Sequence, residues 1–234
     1  MELVSQDESK DQSEELQSIS LNEKSGDSIY KMKKEKSSNG HWLERRSFRI
    51  SLMSTFTALA VVLGYMLAFL PNVEVFTLML FLAGFIMGKR DGGIIGLMSS
   101  FIFCFFNPLG TSPLPLLMLQ LTFYSSVGLL GGIMGSVLDS RNFFDPSEDL
   151  YVLPVMAILG TIVGILTFLY DVLSTVVLAL SVFGTMDAFW PNYLIGLPFT
   201  IVHLIGNILL FVFVLPALIQ LLYKILDVPS DVSR

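Results

Sequence analysis

Beyond Arg49 the chain runs for long distances without a charged side chain: 50–73, 75–88, 92–138, 150–170, 172–186 and 188–223. No other feature constrains the fold as much. A soluble chain carries about 25% Asp, Glu, Lys and Arg, which cover its surface in water. Here the figure is 15%, with 53% hydrophobic residues and a mean hydropathy of +0.69. The imbalance is steeper than the mean, because Met1 to Arg49 holds 19 of the 34 charged residues. The other 185 positions share 15, too few for a globule in water. Their solvent is lipid, and the fold class is an all-α integral membrane protein.

A helix that crosses a bilayer needs about 20 apolar residues. The first run gives one, ended by Pro71-Asn72. The long run of 92–138 must hold two, broken by the turn-forming stretch Asn107-Pro-Leu-Gly-Thr-Ser-Pro113-Leu-Pro115. The sequence predicts six transmembrane helices, over 51–70, 74–88, 92–106, 114–138, 152–182 and 196–223. The second and third are short, so they either tilt little, extend at their ends or pair as a shallow hairpin. Three regions follow: a charged tail at 1–46, a transmembrane domain at 47–226 and a short tail at 227–234. The first tail is acidic and Ser/Gln-rich to Ser28, then basic at Lys31, Lys33, Lys34 and Lys36. It cannot bury enough apolar area to offset chain entropy and is expected to be disordered. It lacks the early apolar region of a cleaved signal peptide. It is either a solvated tail or a basic stretch that touches anionic headgroups.

Orientation follows from the basic residues. With six segments, the tail, the 89–91 turn, the 139–150 loop and the C-terminus share one side, and all 14 Lys and Arg residues fall there. The opposite loops, at 71–73, 107–113 and 183–195, hold none. Lys and Arg accumulate on the cytoplasmic side, so the expectation is a multi-pass protein of the cell membrane with both termini cytoplasmic.

On that topology nine polar groups of the apolar domain lie in the outer leaflet or its loops: Asn72, Glu74, Asn107, Gln120, Tyr124, Tyr170, Asp171, His203 and Asn207. His203 and Asn207 are four apart and share a helix face. An ionisable group at mid-bilayer costs about 2.5–3.5 kcal/mol and is normally retained for a pathway, relay or ligand. Asp171 and His203 therefore mark a polar cavity open to the outside, or else one hydrogen-bonded pair that joins two helices. Small residues form rows: Ser54 with Ala58, and Ala60, Gly64 and Ala68 on the first helix, with Gly92, Gly93 and Gly96, then Gly128, Gly131, Gly132 and Gly135 further on. Such rows let helix backbones approach closely.

Catalytic motifs are missing. There is no Gly-x-Ser-x-Gly elbow, HExxH or Walker lysine loop, so the chain is not expected to be an enzyme. One cysteine and two histidines argue against a cysteine-rich or His-based metal centre. Neither cofactor nor nucleic acid is expected as a partner.

Several short motifs carry a family resemblance. Ser54-Thr-Phe-Thr-Ala58-Leu-Ala60 running to Phe69-Leu-Pro71-Asn72-Val73-Glu74 is similar to the start of a substrate-binding S component of an energy-coupling-factor (ECF) transporter. So are Ala83-Gly84-x-x-x-Gly88-Lys-Arg90, Phe106-Asn107-Pro108-Leu109-Gly110, Leu169-Tyr170-Asp171 and His203-x-x-x-Asn207. The resemblance covers about 47–225 and implies a vitamin-binding membrane subunit that works with a transmembrane T component and two ABC-type ATPases. It implies a pocket reached from outside, roofed by the first outer loop and lined by later helices. It also implies a T-component contact at Ser54 and Ala58, where the family has an Ala-x-x-x-Ala pair; the adjacent Ala60/Gly64 row is a second candidate.

The expected function is thus capture of a vitamin or similar micronutrient by Asn72, Glu74, Asn107, Gln120, Tyr124, Tyr170, Asp171, His203 and Asn207, and its delivery to ATP-driven partners. A stand-alone proton-coupled carrier using Asp171 and His203 is the alternative, and a membrane scaffold a third class. No residue selects among vitamins.

Overall fold

The computed structural model describes residues 45–67, 74–107, 110–141, 143–145 and 149–226. Asn72, the first outer loop and both predicted tails, apart from Arg45 and Arg46, lie outside the described residues. The chain divides into Met1–Arg45 and Arg46–Arg234, and every helix described belongs to the second unit. The helices are α1 (Arg46–Leu67), α2 (Val75–Met87), α3 (Lys89–Phe105), α4 (Leu114–Leu138), α5 (Leu153–Leu178), α6 (Phe189–Leu209) and α7 (Leu215–Leu226). A π-helical turn, Ala179–Phe183, extends α5, and another, Leu210–Val214, joins α6 to α7. There is no strand among the described residues. Four helical stretches are long and apolar enough to cross a membrane: Arg46–Leu67, Leu114–Leu138, Leu153–Phe183 and Met186–Leu226. Val75–Met87 is apolar but shorter.

The shortness of α2 has a packing cause. Its 13 residues span about 20 Å, against a hydrocarbon core of about 30 Å. Every residue from Phe76 to Ile86 is buried. A helix wrapped by protein need not match the thickness of the lipid. The wrapping is tight because glycines let backbones touch. A Cβ on Gly84 would lie 1.8 Å from the Gly128 carbonyl oxygen, one on Gly128 2.0 Å from that of Gly92, and one on Gly132 2.1 Å from the Lys89 nitrogen. The glycine rows of α3 and α4 are thus spent inside the protein, binding α2, α3 and α4 into one block. In lipid the attraction between helices is largely such close van der Waals contact.

α1 lies on this block. Ala60 and Gly64 are buried, and a Cβ on Gly64 would meet the Phe103 and Phe76 rings. That row serves internal packing and gives a partner no access, which corrects the expectation of a second docking row. Ser54 and Ala58 are exposed, and the Ser54 hydroxyl is satisfied by the Ile50 carbonyl at 3.0 Å. At the other edge, Arg49 donates to both oxygens of Asp91, a carboxylate otherwise buried in the first turn of α3.

α5 and α6 form a second, antiparallel pair. Only two residues of α6 are buried, His203 and Asn207. Trp190, Leu194, Ile195, Phe199, Val202 and Ile205 are exposed. A water-soluble helix hides its apolar face; this one hides its polar groups and shows its apolar ones, as a lipid-facing helix does.

Two boundaries differ from expectation. Lys89 and Arg90 belong to the first turn of α3, so the α2–α3 turn is Gly88 alone, at φ 90°. The 183–195 loop is mostly helix: Met186–Ala188 forms a 3-10 turn and α6 begins at Phe189 rather than near 196. Pro191 falls in the first turn, where no intrahelical acceptor awaits its nitrogen. Pro198 lies inside the helix, as transmembrane helices tolerate.

Candidate functional site

The polar spacing of α5 and α6 builds the site. Thr167 and Asp171 are one turn apart on α5; His203 and Asn207 are one turn apart on α6. Because the helices are antiparallel, the pairs meet rung by rung. The His203 Nδ1 and Asp171 Oδ1 are 3.0 Å apart, and the Asn207 amide donates to the Thr167 hydroxyl at 2.9 Å. Thr167 escaped the sequence reading, although its i, i+4 relation to Asp171 mirrors that of His203 to Asn207.

The α2–α4 block supplies the facing side. Glu74 immediately precedes α2, where a carboxylate is favoured by the helix dipole although its side chain makes no capping hydrogen bond. Its Oε2 accepts from the Thr77 hydroxyl at 2.8 Å and its Oε1 from the Tyr124 hydroxyl at 3.4 Å. The same Oε2 stands 3.5 Å from His203 Nε2, an ion-pair contact across the seam. On α4, Gln120 donates its amide to the Tyr170 hydroxyl at 3.3 Å. Aromatic rings line the rest. Tyr124 and Tyr170 have centroids 5.7 Å apart, and Phe123 lies 4.8 Å from Tyr170. Phe76 meets Tyr124 edge-on at 4.9 Å, and Tyr170 meets His203 edge-on at 6.4 Å. Thr77, Phe76 and Phe123 were also missed; they carry no signal that separates them from ordinary core residues.

Seven of the nine expected residues are therefore brought together: Glu74, Gln120, Tyr124, Tyr170, Asp171, His203 and Asn207. Asn107 is placed in the turn after α3, its carbonyl accepting from the Gly110 amide at 3.0 Å. Asn72 lies outside the described residues.

Three atoms of this cluster are buried with no hydrogen-bond partner among the described residues, Gln120 Oε1, Asp171 Oδ2 and Asn207 Oδ1, and His203 Nε2 has only its 3.5 Å contact with Glu74. Buried polar groups are nearly always paired. His203 presents one ring nitrogen to each of two carboxylates, which suits it to hold a proton between them. The same geometry keeps the three groups from converging on a point, and among the described residues no His/Cys/Asp/Glu group is arranged to hold a metal. Lysines and arginines stand away at helix ends: Arg46 and Arg49 start α1, Lys89 and Arg90 start α3, and Lys224 is in the last turn of α7.

No family model, curated protein or solved structure matches this chain.

Proposed function

We propose that the chain is a substrate-binding subunit of the ECF type. On this reading it crosses the cell membrane six times with both termini cytoplasmic, takes a vitamin-like molecule from outside, and releases it inward when separate ATPases drive a T component. The observation that carries the reading is the convergence of seven polar and aromatic residues from α4, α5, α6 and the start of α2 in an otherwise apolar bundle. An apolar site with a few convergent polar groups is the usual form of a small-molecule pocket. Tyr124 and Tyr170 would pack against a ring, the remaining groups would orient it, and the exposed Ser54/Ala58 face of α1 would meet the T component.

The test is affinity purification in mild detergent from the native membrane, with mass spectrometry of co-purifying proteins and small molecules. A T component, ABC ATPases and a bound vitamin-like molecule are expected. A clean preparation without ATPases overturns the reading.

The contact of His203 with both Glu74 and Asp171 favours a second reading, a stand-alone proton-coupled carrier. It predicts net uptake into liposomes under a pH gradient with no other protein present, where the first predicts none.

A further inference from the structure

We propose that this site takes a small organic cation whose charged head carries N–H donors, such as an amidinium or a protonated amino-heterocycle, seated against Asp171 and Glu74 beside the Tyr124 and Tyr170 rings. The proposal rests on the substrate-capture reading and gives it a ligand class.

The first argument is charge. Glu74 and Asp171 are two carboxylates, and among the described residues the only basic group in contact with them is His203. With both carboxylates ionised and both ring nitrogens protonated, one negative charge is left over. A charge in a water-poor interior is costly unless paired, and the described lysines and arginines are at helix ends or, for Arg45 and Arg141, just beyond them. A cation supplies what is lacking. An anion would meet two carboxylates, and a neutral ligand would leave the charge unmatched.

The second argument is the set of unmatched atoms. Asp171 spends Oδ1 on His203, while Oδ2 is buried without a donor. Asn207 is 1% exposed; one end of its amide is committed to Thr167 and the other is unpaired. Gln120 repeats the pattern, one end on Tyr170 and one unpaired. An amide turned by 180° offers either a donor or an acceptor, so these two adapt to the ligand, whereas an ionised Asp171 only accepts. A head with several N–H donors fits that mixture. A bare metal ion does not, because the ligating groups do not converge. The ring faces of Tyr124 and Tyr170 suit a delocalised cation.

The experiment uses the full chain in detergent with three probes of one shape: benzamidine, cationic at neutral pH; benzamide, its neutral counterpart; and benzoate, the anion. Binding is read by thermal unfolding and by equilibrium titration. Benzamidine is expected to bind at least ten-fold more tightly than benzamide, and benzoate not at all. Asp171→Asn should weaken benzamidine at least ten-fold and Glu74→Gln by less, while Asp187→Asn, an exposed carboxylate outside the cluster, changes nothing. Equal or tighter binding of benzamide or benzoate overturns the proposal, as does no benzamidine binding to the unaltered chain. Should either variant fail to fold, the three-probe comparison on the unaltered chain still decides. Absence of T component and ATPases in the purification would end the importer reading and leave this result standing. Equal binding of benzamide would do the reverse.

Discussion

The α2–α4 block and the α5–α6 pair both use glycines, to opposite effect. In the block, added Cβ atoms would strike backbone at 1.8–2.3 Å from Gly84, Gly92, Gly96, Gly128, Gly131 and Gly132. Backbone cannot rotate aside, so these helices have one packing. In the pair, added Cβ atoms would meet side chains alone: one on Gly164 the Ile208 side chain at 3.5 Å and Leu204 at 4.0 Å, one on Gly160 a Val212 methyl at 3.0 Å. Two π turns further interrupt the regular ladder of the pair, at Ala179–Phe183 and Leu210–Val214. The Tyr151 hydroxyl donates to the Phe213 carbonyl in the second of these, at 2.6 Å. One half is fixed by backbone contact; the other is held by side chains that can adjust. The candidate site lies on the seam, with Glu74, Gln120 and Tyr124 from the fixed half and Tyr170, Asp171, His203 and Asn207 from the adjustable one. Small shifts of α5 and α6 would change the site without disturbing the block.

The largest expected effect breaks this comparison if it fails. Gly128→Ala should destabilise the protein in detergent by about 3 kcal/mol or more, the upper range for overpacking. Gly164→Ala should change stability by about 0.5 kcal/mol or less, since helix propensity favours alanine and Ile208 has room to move. Thermal unfolding monitored by circular dichroism compares them. Equal losses would mean that the two halves are packed alike.

Next in size is the Arg49–Asp91 pair, which ties α1 to the block. Removing one partner of a buried pair costs about 3–5 kcal/mol. Arg49 is 44% exposed on its side chain, so water shares its charge, and Arg49→Ala is expected to cost about 2 kcal/mol after that discount. Asp91→Asn in the Arg49→Ala background should recover part of the loss, because the buried charge is gone. No recovery would show that Asp91 does not depend on its partner.

Helical spacing was legible in the sequence where local punctuation was not. Residues four apart on a helix share a face wherever the helix begins, so His203 and Asn207 were placed together without knowing the boundaries of α6. The glycine rows likewise announced close helix contact, most of it internal. What failed was local punctuation. Pro191 and Asn192, just before Gly196 and Pro198, look like a loop. Yet Asn192 donates its side-chain amide to the Ala188 carbonyl at 2.7 Å, and the first proline sits where its missing donor costs nothing. The burial of α2 was also illegible. An apolar 13-residue helix reads the same whether lipid or protein surrounds it, and only the facing glycines of α4 decide. The Arg49–Asp91 pair was hidden because it links positions 42 apart, with no local pattern to join them.

The smallest expected effect sharpens the account of the seam. The Thr167–Asn207 hydrogen bond is wholly buried, which on burial alone predicts a severe loss. Such bonds within membrane bundles contribute about 0.6 kcal/mol on average and at most about 1.7, because the unfolded helices find other partners in lipid. A double-mutant cycle of Thr167→Val and Asn207→Leu should therefore give a coupling of about 0.6 kcal/mol. That is well below the Gly128→Ala loss, as expected if the pair is joined by replaceable side-chain bonds and the block by backbone contact. A coupling above about 2 kcal/mol would exceed that range. It would make the α5–α6 rung as rigid as the glycine block, and the site would then lie between two fixed walls.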